Sequence, residues 1–159
     1  MEYIHHYDSP LGGITIASDG KDLTGLWFDG QKYFADTLEK DHEAKALPVF
    51  DQADRWLDIY FSGKAPHFTP PLRMLGTPFR QKVWQHLLRI PYGQTMTYGE
   101  VANAIGSLSA RAIGGAVGHN RISLIIPCHR VVGKGNSLTG YAGGIDRKRL
   151  LLEMENIKL

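Results

Sequence analysis

The sequence predicts an α/β fold built in two halves, and three observations predict it. Two short runs near the start, Leu11–Ala17 and Leu23–Phe28, alternate with the period of half-buried strands, whereas from Pro48 onward apolar residues recur at helical spacing. The charge divides near residue 75. Residues 1–75 carry seven Lys or Arg against twelve Asp or Glu, a balance of −5; residues 76–159 carry eleven against four, a balance of +7. Ala65–Pro71, with three prolines, lies just before that change and reads as a linker or an edge segment. Two domains are therefore expected, at 1–75 and 76–159. A chain of 159 residues can bury a core without disulfide or metal staples.

In the first half, Ser18-Asp19-Gly20-Lys21 supplies turn chemistry between the alternating runs, so they form a hairpin. Gln31–Glu39 has the pattern of a short helix. Val49, Phe50, Ala53, Trp56, Leu57, Tyr60 and Phe61 make the apolar stripe of a longer helix, opened by Pro48 and closed by Gly63. The second half begins with Thr77-Pro78, an N-cap followed by proline at the first helical position. Phe79, Val83, Trp84, Leu87 and Leu88 form that helix's stripe, and Pro91-Tyr92-Gly93 ends it. Tyr98–Ile105 reads as a helix with Val101, Ala102 and Ile105 inward and Gly106 as its stop. Ser109–Gly118 reads as another, capped by Ser109. Two short helices joined by a tight glycine-containing turn, in a basic half, fit a helix-turn-helix. Leu124-Ile125-Ile126 reads as a short buried strand leading into Pro127-Cys128-His129-Arg130. A glycine-rich stretch follows, and Asp146 caps a last helix, Arg147–Glu155, with Leu150, Leu151 and Met154 apolar.

Several classes of protein are excluded. A single cysteine allows neither an intrachain disulfide nor a Cys-based zinc cluster. His5 and His6 have no cysteine partner near them and do not supply a metal site. No apolar run approaches the ~18 residues of a membrane span. Met1–His6 lacks the basic-then-apolar plan of a signal peptide, and the length and single cysteine suit a cytoplasmic protein. The basic half suits a polyanionic partner, although a solvated, salt-bridged surface explains the charge equally well.

Cys128 is the residue on which function turns. A solitary cysteine after an apolar run is usually an inert buried thiol. Here an imidazole and a guanidinium follow it directly, and both favour thiolate. Proline before it places it at a turn, and the flanking glycines let a ligand approach the backbone closely. Neighbours in an extended chain face opposite ways, so Cys128 and His129 cooperate only across a turn or through water. A carboxylate to orient the imidazole is available at Glu155, Glu153 or Asp146, and spacing does not choose among them. Arg130 reads as a structural arginine tying strand to helix. The helix Ser109–Gly118 is poor in side chains, although each interior glycine costs about 1 kcal/mol relative to alanine. Tight helix packing is one explanation. Docking onto DNA is the other, with Arg111 filling the gap left by an extruded base.

At these residues the sequence resembles the O6-alkylguanine-DNA alkyltransferase family. Ile126-Pro127-Cys128-His129-Arg130-Val131 matches the family's active-site motif. Thr95–Ala102 and Arg111–Ala116 resemble its DNA-binding helices, and Tyr141-Ala142-Gly143-Gly144 with the helix ending at Glu155 resembles its pocket loop and terminal helix. Ser9-Pro10-Leu11-Gly12 and Leu23–Phe28 resemble its first domain, so the likeness covers essentially the whole chain. It implies an RNase H-like N-terminal domain and a winged helix-turn-helix C-terminal domain. It implies a protein that binds double-stranded DNA, flips a guanine and takes the O6-alkyl group irreversibly onto Cys128, with O4-methylthymine as a second lesion. By motif position His129 is the base acting through water, Glu155 orients it, and Tyr98 donates to the departing guanine. Thr95, Ser109, Arg111, Ala112 and Gly115 are the implied DNA contacts. Asn120, Val131, Tyr141, Ala142 and Gly143 are the implied pocket, Asn120 as the hinge residue. No cofactor or metal is implied, and the expected state is a monomer acting once.

Where the family commonly has proline after the hinge asparagine, this chain has Arg121, a residue suited to a phosphate contact. No N-terminal zinc-binding sensor domain of the adaptive-response relatives is expected. Two other kinds of protein share parts of this pattern. A non-catalytic damage binder of the alkyltransferase-like kind carries another residue, often tryptophan, in place of Cys128. A cysteine hydrolase would turn over and would not need a basic helix-turn-helix.

Overall fold

The computed structural model describes residues 1–31, 38, 41–107 and 109–157. The chain divides into two compact units, Met1–Leu75 with Arg121–Ser123, and Gly76–Asn120 with Leu124–Leu159.

Among the described residues, the first unit is a four-stranded sheet with one α-helix. Its strands are β1 (Glu2–Ser9), β2 (Gly12–Ser18), β3 (Leu23–Phe28) and β4 (His42–Ala44), in the spatial order β3-β2-β1-β4. The expected hairpin is present: β2 and β3 pair antiparallel, with Ile16 opposite Leu26. Ahead of it, β1 pairs antiparallel with β2, and β4 lies parallel to β1. Helix α1 (Pro48–Phe61) buries Val49, Phe50, Ala53, Trp56, Leu57 and Tyr60, the stripe that the sequence indicates. His5 of β1 stacks on Phe50 and bonds Asp54 of that helix.

Strand β3 is buried along its whole length. Its outer edge is closed by two short backbone pairings. Leu72 pairs with Leu23 at one end, so the proline-rich stretch runs into an edge segment. Ile122 pairs with Leu26 at the other. Covering the edge this way satisfies backbone groups that would otherwise template pairing with another chain. The helix expected at Gln31–Glu39 falls largely on residues 32–37, 39 and 40, which lie outside the described residues.

The second unit holds helices α2 (Pro78–Leu87), α3 (Tyr98–Ile105), α4 (Ala110–Gly118) and α5 (Ile145–Met154), with a two-stranded parallel pair, β5 (Met96–Thr97) and β6 (Val131–Val132). The caps fix the helix starts. Thr77 accepts from the Arg80 N–H, Thr97 and Glu100 form a reciprocal capping box, and Ser109 accepts from the Ala112 N–H. Gly106 ends α3 in the left-handed region, φ 74°. The Trp84 indole N–H donates to the Ala116 carbonyl at 2.8 Å, tying α2 to α4.

Four features differ from what the sequence predicts. Leu124–Ile126 is buried, but it is not a strand: it is a turn, with Leu124 at φ +71°, a backbone angle incompatible with extension. The N-cap of α5 is Gly144, and Asp146 sits inside its first turn. Phe79 and Leu88, at the margins of the α2 stripe, are exposed, while Val83, Trp84 and Leu87 carry the packing. Leu150 is exposed as well, and α5 buries Lys148, Leu151 and Leu152 instead.

Candidate active site and DNA-binding face

Cys128, His129 and Arg130 form a single 3₁₀ turn, begun by Pro127 and followed by β6. Consecutive side chains in such a turn project about 120° apart, so cooperation between the Cys128 thiol and the His129 ring runs through water. Cys128 is 3% exposed. Its N–H donates to the Ile126 carbonyl at 2.8 Å, and the Asn120 Nδ2 donates to the same carbonyl at 2.8 Å. Asn120 therefore closes the buried turn between itself and the cysteine. Burial pushes the Cys128 thiol up; a hydrogen bond with the Asn120 side chain and the charge of Lys148 oppose that shift.

His129 is completely buried and its Nε2 lies 2.6 Å from the Glu155 Oε2. Burial lowers the His129 pKa against the pull of Glu155, so the ring is neutral near pH 7. A neutral ring donating from Nε2 keeps its lone pair on Nδ1, the arrangement a general base needs. Glu155 is itself 2% exposed. Its Oε1 accepts from Arg130 Nε at 2.8 Å and from the Gly93 N–H at 3.0 Å. Burial alone would raise this carboxyl, but the hydrogen bond from His129, and then the hydrogen bond and charge of Arg130, hold it down at about 2. Among the three carboxylates left open by spacing, geometry selects Glu155: Asp146 and Glu153 are exposed. Arg130 also donates to the Ile90 carbonyl at 2.8 Å, joining the turn to both Glu155 and the chain beyond α2.

One buried residue was not singled out from the sequence. Lys148 of α5 has no exposed surface, and its Nζ donates to the carbonyls of Val131, at 2.5 Å, and Thr139, at 3.0 Å. Burial pushes its ammonium down to about 8. A lysine in a helix reads as a solvated residue, and only its place three residues before Leu151, on the same helix face, hints otherwise.

The residues expected to line a pocket are placed as follows. The Tyr98 hydroxyl, at the start of α3, donates to the Thr139 carbonyl at 3.2 Å. Its ring lies 5.9 Å from the Lys148 Nζ. Val131 is fully buried in β6, and Tyr141 is buried with Ala142 half-buried beside it. A Cβ at Gly143 would stand 2.5 Å from the Tyr141 ring, so glycine is the residue that lets the ring lie flat on the backbone. The Tyr141 hydroxyl is buried with no hydrogen-bond partner among the described residues.

On α4, Ile113, Ala116 and Val117 face inward while Arg111, Ala112 and Gly115 are exposed. A Cβ at Gly114, Gly115 or Gly118 would meet no atom within 4 Å. The glycines therefore serve no close packing inside the protein, which removes the first explanation for them. Thr95 is half-buried just before β5, and Ser109 uses its hydroxyl as the α4 cap. Arg121 is 5% exposed and buried in the first unit, so it is not placed as an open phosphate contact. Among the described residues, no group of three His, Cys, Asp or Glu side chains is arranged to hold a metal ion, and no helix is long and apolar enough to cross a membrane.

A ribonuclease-like unit followed by a helix-turn-helix unit with a buried cysteine centre defines the class to which the molecule compares. Residues 3–74 match the profile of the 6-O-methylguanine DNA methyltransferase ribonuclease-like domain, and residues 78–157 match that of the DNA-binding domain of the same name. The methylated-DNA--protein-cysteine methyltransferase of Haemophilus influenzae is 45% identical over 98% of this chain and 87% of its own length. The constitutive enzyme of that name from Bacillus subtilis is 42% identical over 99% and 97%. A crystal structure of Mycobacterium tuberculosis OGT in complex with DNA superposes with a TM-score of 0.87 at 45% identity, covering 96% of this chain and 92% of that one. The chain belongs to the 6-O-methylguanine DNA methyltransferase family.

Proposed function

We propose that the protein repairs alkylated DNA by direct reversal, transferring the O6-alkyl group of guanine in duplex DNA to Cys128 as a methylated-DNA--protein-cysteine S-methyltransferase. The observation that carries this reading is the buried turn in which Cys128 adjoins a neutral His129 bound to Glu155 at 2.6 Å. A saturated carbon bound to oxygen is a weak electrophile, for which thiolate is the suited nucleophile. The Cys128 sulfur forms a bond to the alkyl carbon as the carbon–O6 bond breaks. The thiol proton passes through water to His129, whose positive charge Glu155 stabilises. The departing guanine is protonated by Tyr98, which regains its proton from solvent, and leaves as the neutral base. The thioether has no hydrolytic exit, so each molecule acts once, and no cofactor enters the balance.

The substrate must leave the helix stack to reach a thiol that is 3% exposed, which favours base flipping. The outward glycine face of α4 fits the minor groove, with Arg111 taking the vacated place and Ala112, Gly115, Thr95 and Ser109 beside it. Asn120, Val131, Tyr141, Ala142 and Gly143 would surround the base, whose polar edge can meet the buried Tyr141 hydroxyl. O6-methylguanine is the primary lesion and O4-methylthymine a second. The protein works as a cytoplasmic monomer of two domains, 1–75 and 76–159. A Cys128→Ala protein tests the assignment: it should bind a duplex carrying O6-methylguanine and leave the lesion intact. Lesion clearance by that variant would refute it.

A further inference from the structure

The residue after Asn120 is a buried arginine, and its surroundings give it work to do. Within the first unit, the Arg121 guanidinium lies 5.4 Å from the Trp27 ring centroid, and its Nη2 is 3.7 Å from the Glu2 Oε2. Glu2 is 3% exposed, and the same Oε2 accepts from the Thr24 hydroxyl at 2.6 Å. The backbone is held too: the Leu26 N–H donates to the Arg121 carbonyl at 2.7 Å, and the Ser123 N–H to the Leu26 carbonyl at 2.9 Å. A buried ion pair at this separation is a poor source of stability, because desolvation offsets the attraction; its better-attested use is to fix one arrangement over others.

What is fixed is the start of the segment that ends in Cys128. After Ser123 the chain enters the turn at Leu124, whose φ of +71° persists only where the surroundings over-determine it. Two residues later the Ile126 carbonyl accepts from both the Asn120 side chain and the Cys128 N–H. Strain in the middle of a turn held at both ends is released if either end is freed. We propose that Glu2 and Arg121 are positioning residues for Cys128: the buried pair holds one end of the Arg121–Cys128 segment, Asn120 holds the other, and together they keep Leu124 in its left-handed conformation and the thiol in place. This rests on the reading of Cys128 as the alkyl acceptor.

The test uses the full chain carrying Arg121→Met, Glu2→Gln or both, with Arg121→Lys as the conservative variant. Three quantities are read below the melting temperature of each: single-turnover methyl transfer from an O6-methylguanine duplex, the pH profile of Cys128 alkylation by iodoacetamide, and duplex affinity. Arg121→Met should slow both reactions roughly tenfold or more and move the alkylation profile, because displacement of a reacting group by a remote change is costly. Duplex affinity should hold. Adding Glu2→Gln should cost little beyond Arg121→Met alone, as for two residues that act as one unit, and Arg121→Lys should lose less than Arg121→Met. Lower melting with unchanged transfer and alkylation in the folded protein would overturn the proposal. Should Arg121→Met fail to fold, Glu2→Gln alone decides: slowed alkylation supports the proposal and wild-type alkylation refutes it. A wild-type protein that transfers no methyl group, with alkylation still responding as expected, would sink the function and leave the positioning standing.

Discussion

The surroundings of Cys128 and the outer face of α4 belong to the same unit and are built on opposite plans. Around Cys128 the polar groups are buried and held more than once: Glu155 receives His129, Arg130 and the Gly93 N–H, and Lys148 spans two carbonyls. On α4 the helix gives up intrinsic stability at Gly114, Gly115 and Gly118, and nothing inside the protein occupies the space so cleared. A cost with an internal return marks chemistry that must stay in register. A cost with no internal return points to something outside the molecule. Substitutions in the first region should therefore damage transfer and stability together, whereas those in the second should damage binding while leaving stability alone or raising it.

The largest separation is expected from Glu155→Gln. Arg130 would then be buried without its counter-charge, a loss of about 3–5 kcal/mol for a broken buried pair, measurable by urea denaturation. Transfer by the folded fraction should fall as well, since His129 loses its orienting acceptor. Duplex affinity of that fraction should not change; a parallel fall in affinity would erase the distinction between the two regions. The same cluster sets the acid response. His129 is held below its ordinary 6.5, so the unfolded chain takes up that proton first and stability begins to fall below about pH 6.5. Glu155 is held at about 2 against an ordinary 4.5, so a second loss begins below 4.5 and runs to about 2. Flat stability between pH 7 and 5 would contradict the buried neutral histidine.

Lys148→Met should come next. Two buried carbonyls lose their donor, at about 1–3 kcal/mol for groups left unsatisfied. The Cys128 thiol also loses a neighbouring charge, so its alkylation profile with iodoacetamide should move to higher pH. An unmoved profile would reduce Lys148 to a packing residue. On the other surface, Arg111→Ala should change stability by no more than about 0.5 kcal/mol, as for an exposed residue, yet weaken capture of the lesion. The smallest change carries the sharpest sign. Gly115→Ala should stabilise α4 by up to about 1 kcal/mol and lower duplex affinity; a variant both more stable and equally good at binding would remove the reason for the glycine.

Much of the framework could be read from local signals. Helix α3 falls at Tyr98–Ile105 as expected because the Thr97-x-x-Glu100 box and Gly106 act within a few residues of the ends they set. Strand β3 matches for a similar reason, a short apolar run with turn residues ahead of it. Strand β1 was not legible, since Tyr3, His5 and Tyr7 alternate with Ile4, His6 and Asp8 and neither set is plainly apolar. Leu124–Ile126 misled because burial without periodicity describes a buried turn as well as a strand, and only the Asn120 side chain, four to six residues away, distinguishes them. In the site, the Cys-His-Arg turn announced itself by sequence adjacency. The partners that make it work did not: Glu155 was one of three carboxylates, Lys148 looked like surface, and Arg121 looked like a phosphate contact until its burial with Glu2 placed it elsewhere.

Intact mass before and after mixing with a duplex carrying one O6-methylguanine tests the central claim most directly. The account predicts a gain of one methyl group per protein molecule, mapped to the Cys128 peptide and not exceeded with excess DNA. An unchanged mass beside a cleared lesion, or a methyl group on any other residue, would contradict it.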